Sequence, residues 1–66
     1  MPIIQIQLIE GRSTELKKQL MRGINEVVCR TLDVQPAQVR ILINEFEKEN
    51  WSVGGVAKDE EKSPYL

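Results

Sequence analysis

Residues 2–10 alternate between two sets of side chains with the two-residue period of a β-strand. One face carries three apolar residues: Ile4, Ile6 and Leu8. The other face carries Ile3 and Ile9, with glutamines between them. The pattern predicts a strand that is partly apolar on both faces and that ends at Gly11.

The next apolar positions are three or four residues apart, which is the spacing of one side of an α-helix. They form one predicted apolar stripe, with Met21 at its edge: Leu16, Leu20, Ile24, Val27, Val28 and Leu32. The opposite side is predicted to be polar and to include Lys18, Arg22, Asn25, Glu26, Cys29 and Arg30. Ser13 or Thr14 can cap the helix, and Pro36 should end it near Asp33.

A second alternating run covers residues 39–46. Val39, Ile41 and Ile43 share one face; Arg40, Leu42, Asn44 and Phe46 share the other. A strand, a helix of about 20 residues and a strand make a β-α-β unit, whose strands are parallel. Residues 51–56 then predict a short hairpin that turns at Gly54 and Gly55. The predicted fold class is therefore α/β (α+β), a β-α-β unit with a C-terminal β-hairpin.

The chain is predicted to form one small domain, residues 1–66, of which about 57–66 are a polar tail, either mobile or draped over a neighbouring subunit. One helix covers only one face of a two-stranded sheet, whereas parallel sheets are normally covered on both faces. A domain of about 60 residues is also marginally stable alone. Because the sequence offers neither a disulfide framework nor metal ligands, we expect a homo-oligomer.

Composition excludes several classes of function. Lys and Arg number 9 against 10 Asp and Glu, so there is no basic excess for a nucleic-acid backbone. With no His and one Cys, zinc-finger-type sites, His-dependent triads and an intramolecular disulfide are excluded. No apolar run approaches the ~20 residues of a membrane span, and no signal peptide is recognised. We therefore expect a cytoplasmic protein without metal, nucleic-acid or membrane partners.

Pro2 is the candidate for acid–base chemistry. Met1 precedes a small residue, so its removal is expected, and the proline nitrogen then becomes a basic secondary amine. A reference α-amino group titrates at about 7.7–8.0, and burial or nearby arginine charge lowers such a pKa. A neutral amine can accept a proton from a substrate. The alternative is a proline that simply begins an edge strand.

Arg12 and Arg40 are candidates for binding carboxylates. In a β-α-β unit both strands start at the same end of the sheet, so Arg40 lies beside Pro2. Arg12 lies past the far end of the first strand, about 30 Å from Pro2 if the intervening chain is extended. A pocket that combines Pro2 with Arg12 must therefore take Arg12 from a second subunit. Two guanidiniums suit a dicarboxylate, or a carboxylate beside an oxo group. The alternative is a pair of surface charges matched with Glu10 or Glu45.

Trp51 and three acids are weaker candidates. Trp51 either walls a pocket and excludes water, or packs as an ordinary core or interface aromatic. Glu45, Glu47 and Glu49 either activate water or form a solvated acidic rim. None of these residues predicts a metal or cofactor site.

Five segments carry a family resemblance by their order and spacing: Pro2-Ile3, Leu8-Ile9-Glu10-Gly11-Arg12-Ser13, Leu32-Asp33, Val39-Arg40 and Gly54-Gly55. Over about its first 56 residues the chain resembles the 4-oxalocrotonate tautomerase (2-hydroxymuconate tautomerase) family of the tautomerase superfamily. The resemblance implies a cofactor-free isomerase that forms a hexamer. Its implied partner is a small dicarboxylate or a 2-oxo or 2-hydroxy acid.

The resemblance also implies roles for individual residues. Pro2 would be the general base, and Arg40 would bind one carboxylate and the neighbouring 2-oxygen. Arg12 of another subunit would hold the far carboxylate, and the backbone N–H of Ile9 would contact the substrate oxygen. Trp51 stands where the family usually has Phe. Since its bulk differs, a phenylpyruvate-type enol–keto tautomerase and a hydrolytic dehalogenase stay open as alternatives. A third alternative is a non-catalytic oligomeric interaction domain, whose partner surface would be the charged helix face and the acidic tail.

Overall fold

The computed structural model describes residues 1–60, which form a β-α-β unit followed by a hairpin. The elements are β1 (Ile3–Ile9), α1 (Thr14–Leu32), β2 (Arg40–Phe46), β3 (Ser52–Val53) and β4 (Val56–Ala57), with 3₁₀ turns at Pro36–Gln38 and Lys48–Asn50. β1 and β2 pair in parallel, and β3 and β4 pair antiparallel, which confirms the predicted fold class. Ala57, assigned to the tail by the sequence, belongs to β4. Residues 61–66 of that predicted tail lie outside the described part of the chain.

The parallel register decides which residues share an end of the sheet. β1 and β2 pair without interruption, from Ile3 opposite Arg40 to Ile9 opposite Phe46. The backbone N–H of Arg40 also donates to the carbonyl of Pro2 at 3.0 Å. Because parallel strands run the same way, both strand starts lie at one end of the sheet and both strand ends lie at the other.

Both ends of the helix follow from local sequence. Ser13 is the N-cap, and its side-chain oxygen accepts a hydrogen bond from the backbone N–H of Leu16 at 3.2 Å. Asp33 ends the helix in the left-handed conformation, with φ 56° and ψ 53°. Residues in this conformation commonly close α-helices, and Asp adopts it more readily than most residues other than Gly.

The helix meets the sheet with a different face from the one that the sequence predicted. The half-buried helix residues share one side: Lys17, Met21, Ile24, Asn25, Val28 and Cys29. Of the predicted apolar stripe, only Ile24 and Val28 belong to this side. The others are exposed: Leu16 (54%), Leu20 (39%), Val27 (50%) and Leu32 (56%). The prediction of a single apolar stripe was therefore wrong, because α1 carries two adjacent apolar rows.

An ion pair occupies the helix–sheet boundary. The Nζ of Lys17 lies 2.7 Å from Oε1 of Glu45, on the same strand face as Ile41 and Ile43. This contact explains why a lysine lies on the sheet-facing side. Cys29, predicted on the polar side, is half-buried there, and its thiol donates to the Asn25 Oδ1 at 3.6 Å.

The sheet face away from the helix is left open, as the alternation predicted. Its apolar residues include Ile3, Leu42 and Phe46, which are 62%, 49% and 36% exposed. Within residues 1–60 no residue is fully buried, so this part of one chain has no closed core of its own. No helix in this range has both the length and the apolar character needed to cross a membrane.

Candidate active site

Pro2 and Arg40 lie together at the end of the sheet where both strands start. Their backbones are joined by the 3.0 Å hydrogen bond from the Arg40 N–H to the Pro2 carbonyl, as the predicted topology requires. Pro2 is half-buried, whereas Arg40 is exposed. The Arg40 Nη1 donates to the carbonyls of Ala37 at 2.8 Å and Val39 at 3.4 Å. These contacts hold the guanidinium against the 3₁₀ turn that precedes β2.

The side chains of these two residues begin on opposite faces of the sheet. Arg40 is opposite Ile3, in the exposed row of the open face. Pro2 precedes Ile3 by one residue, so the alternation of β1 places it in the half-buried row of the helix-covered face. Proximity along the backbone therefore does not by itself point the Arg40 guanidinium at the proline of the same chain.

Arg12 lies at the other end of the sheet. It follows Gly11, whose φ of 129° is available only to glycine without strain, and its Nη1 donates to the carbonyl of Ile9 at 3.1 Å. The seven residues of β1 separate it from Pro2, which is about 20 Å at ~3.3 Å a residue. Since this exceeds the reach of an arginine side chain, one chain does not bring Pro2 and Arg12 together.

Trp51 and Ile9 belong to the Arg12 end as well. The Trp51 ring packs edge-on against the ring of Phe46, with centroids 5.9 Å apart and an interplanar angle of 69°. Phe46 is in turn the cross-strand partner of Ile9. The five predicted site residues thus fall into two groups at opposite ends of the sheet, Pro2 with Arg40 and Ile9 with Arg12 and Trp51.

Phe46 is the neighbour that the sequence reasoning missed. The sequence signal was present, because Phe46 ends the exposed row of β2 and Trp51 follows five residues later. The contact depends on the 3₁₀ turn Lys48–Asn50, which folds Trp51 back onto the strand. Sequence periodicity does not specify that turn.

Of the three candidate acids, Glu45 forms an ion pair, and Glu47 and Glu49 lie together on the exposed surface. Glu45 is engaged by Lys17. The pKa of the exposed Glu49 lies above its ordinary value, chiefly because Glu47 shares a hydrogen bond with it and repels its charge, with smaller effects from burial, Asp59 and Glu10. Among residues 1–60, no group of three or more His, Cys, Asp or Glu side chains is placed to hold a metal ion.

The chain matches the family model of the tautomerase enzymes over residues 2–60. It is 44% identical over 55 residues to a 2-hydroxymuconate tautomerase of Pseudomonas putida, covering 83% of this chain and 87% of that protein. A 4-oxalocrotonate tautomerase isozyme of Methylibium petroleiphilum superposes with a TM-score of 0.85 and 53% identity, covering 88% of this chain and 91% of the other. A heterohexameric 4-oxalocrotonate tautomerase of Chloroflexus aurantiacus superposes with a TM-score of 0.88 and 37% identity, over 94% of this chain and all of that one.

Proposed function

Because this chain belongs to the tautomerase family and is an isomerase, we propose that it converts a 2-hydroxydienoate such as 2-hydroxymuconate into the conjugated 2-oxo acid, without a cofactor. Three observations support the substrate class. The chain is similar to 2-hydroxymuconate tautomerases over most of its length. Pro2 directly follows Met1, and two arginines flank the sheet at opposite ends. The single observation that carries the proposal is the half-buried Pro2 just before β1, in a chain similar to 2-hydroxymuconate tautomerases.

In the proposed reaction the proline nitrogen is the base. Removal of Met1, which is 76% exposed, frees the Pro2 nitrogen as a secondary amine. The neutral amine takes the proton of the substrate's 2-hydroxyl group, and the O–H electron pair becomes part of a dienolate. The protonated amine then returns the proton to a distant carbon, so that a C–H bond replaces the O–H bond and the 2-oxo acid is released.

The arginines supply charge and alignment in this proposal. Arg40 binds one carboxylate and the neighbouring 2-oxygen, where negative charge develops, and Arg12 holds the far carboxylate. The backbone N–H of Ile9 contacts the substrate oxygen, and Trp51 walls the site against water. Because the two groups lie about 20 Å apart in one chain, the site is built from more than one copy.

The surface of the single chain supports a homo-oligomer, which we propose to be a hexamer. Ile3 and Leu42 are exposed on the open sheet face. Leu16, Leu20 and Val27 are exposed on the side of α1 away from the sheet. At Gly23, beside these helix residues, a Cβ would meet nothing within 4 Å, so the helix surface is open to a neighbour. Residues 1–60 of one chain have two separate apolar faces and no closed core, which calls for more than one contact between copies.

The proposal is tested at the proline nitrogen. Protein whose cleavable N-terminal extension has been removed up to Pro2 should convert 2-hydroxymuconate, followed by ultraviolet absorbance. The uncut protein, which keeps the extension and in which the Pro2 nitrogen is an amide, is the control and should be inactive. Pro2→Ala should be about 10²- to 10⁴-fold slower, which is the usual contribution of a general base. Equal turnover by the cut and uncut proteins contradicts the proposal.

A second candidate, an enol–keto tautomerase of the phenylpyruvate type, is favoured by the Phe46–Trp51 ring pair. This pair presents aromatic surface at the Arg12 end, where an aryl group could replace the far carboxylate. Assaying the enol of phenylpyruvate beside 2-hydroxymuconate separates the two. An Arg12→Ala variant that loses activity on the dicarboxylate alone identifies Arg12 as its second clamp.

A further inference from the structure

The orientation of Trp51 depends on a residue that is assigned no role by the reaction itself. We propose that Phe46 is a positioning residue: its ring fixes the ring of Trp51, and through Trp51 it sets how the enzyme discriminates between aryl and dicarboxylate substrates. This inference rests on the proposed function, since it concerns the same site.

The main chain of Trp51 is held on both sides. Its backbone N–H donates to the carbonyl of Lys48 at 3.3 Å, closing the 3₁₀ turn. Its carbonyl accepts from the backbone N–H of Lys58 at 2.8 Å, next to the hairpin. These bonds fix where the side chain starts, but they leave rotation about the side-chain torsions open.

The ring of Phe46 restricts that rotation. The two rings meet edge to face, with centroids 5.9 Å apart and an angle of 69° between their planes, which is a preferred aromatic geometry. Phe46 is itself well placed to act as a fixed support, because it ends β2 and is paired with Ile9 across the parallel ladder. A flexible loop residue would not offer Trp51 such a support.

The position of the pair connects it to substrate choice. Arg12 is bonded to the carbonyl of Ile9, the residue opposite Phe46, so the guanidinium and the two rings lie at the same end of the sheet. A guanidinium binds the far carboxylate of a dicarboxylate, whereas an aromatic ring packs against an aryl group. The same end of the molecule thus has two ways to hold the far end of a substrate, and only in the aryl mode does the ring of Trp51 itself bind that end.

The first test reads the orientation of Trp51 directly. Trp51 is the one tryptophan of the chain, so its near-ultraviolet circular dichroism band reports on its own surroundings. Phe46→Leu keeps an apolar side chain but removes the ring, and should weaken that band by more than half while the far-ultraviolet spectrum and the oligomer mass stay unchanged. Phe46→Tyr should restore the band. Ile43→Val, which removes one methylene from the helix-covered face of the same strand, is the control and should leave the band intact.

The second test reads substrate choice. In Phe46→Leu, kcat/KM for the enol of phenylpyruvate should fall about 2- to 10-fold relative to kcat/KM for 2-hydroxymuconate, because the loss of one aromatic ring contact corresponds to a change of that size. The change should appear as a higher KM for the phenylpyruvate enol. In a Trp51→Leu background the same substitution should leave the ratio unchanged, because Phe46 acts through Trp51.

Three results overturn the inference: an unchanged Trp51 band in Phe46→Leu, an equal loss of the band in Ile43→Val, or a substrate ratio that shifts equally when Trp51 is already replaced. A protein that turns over neither substrate ends the proposed function instead. The circular dichroism comparison then still decides whether Phe46 orients Trp51.

Discussion

Two impaired variants should restore activity to one another, because the proposed site is shared between copies of the chain. The perturbation is a mixture of Pro2→Ala with Arg12→Ala. Within one chain these positions are separated by the seven residues of β1, about 20 Å, which exceeds the reach of an arginine side chain. The proposed site therefore draws its proline from one chain and its Arg12 from another.

The magnitude follows from that geometry. Pro2→Ala removes the proposed general base and should cost about 10²- to 10⁴-fold in rate. Arg12→Ala removes a hydrogen-bonded charge pair with the substrate, worth about 1.5–3 kcal/mol, or roughly 10- to 150-fold. After random assembly from equal amounts, half of the prolines and half of the arginines are intact, so about 25% of the sites combine both in a symmetric oligomer. Were Pro2 and Arg12 taken from the same chain, no site would be intact.

The assay is turnover of 2-hydroxymuconate after the two variants are unfolded together and refolded. Native mass spectrometry should show mixed oligomers before the rates are compared. Mixing Pro2→Ala with the double variant Pro2→Ala, Arg12→Ala is the matched control, since no intact proline is then present. If mixed oligomers form and the rate stays at the mean of the two parents, the reasoning about a shared site is refuted.

Three further outcomes are expected. Leu42→Asp, placing a charge on the open sheet face, should cost about 3–5 kcal/mol per protomer on assembly and yield smaller species by sedimentation; an unchanged mass would contradict an interface there. Asp33→Val should destabilise by about 1–2 kcal/mol, because a β-branched residue is strained at φ 56°, whereas Asp33→Gly should not; melting curves at equal protein concentration check both. The pKa of Glu49 is raised by Glu47, so the folded state binds that proton more tightly and the associated stability is lost as pH rises through the raised pKa. Glu47→Gln should therefore stabilise the protein more at neutral pH than at acid pH, and equal shifts in Tm at both would speak against this.

The sequence by itself determined the elements and their order. Alternation at Ile4, Ile6 and Leu8 specified β1, a capping Ser13 set the start of α1, and the Gly54-Gly55 pair set the hairpin turn. Strand, helix and strand then fixed a parallel pair, and with it the placement of Pro2 beside Arg40. These features follow from local periodicity and from the connection between strands, both of which can be read along a chain.

Only the tertiary structure decided which helix face meets the sheet. Helical spacing groups Leu16, Leu20 and Val27 as readily as Met21 and Val28, because the two rows are adjacent on the same helix. In the structure the row with Met21 and Val28 faces the sheet, on the same side of the helix as the ion pair between Lys17 and Glu45. The row with Leu16, Leu20 and Val27 is exposed. Rotation of a helix about its axis depends on what it packs against, and periodicity does not contain that information.

The contact between Phe46 and Trp51 was likewise decided in three dimensions. It depends on the 3₁₀ turn that follows β2, and on the strand register that holds Phe46 opposite Ile9. Neither the turn nor the geometry of the two rings can be predicted from the periodicity of the sequence. The sequence thus supplied the chemical groups of the candidate site, while their division between the two ends of the sheet came from folding the strands side by side.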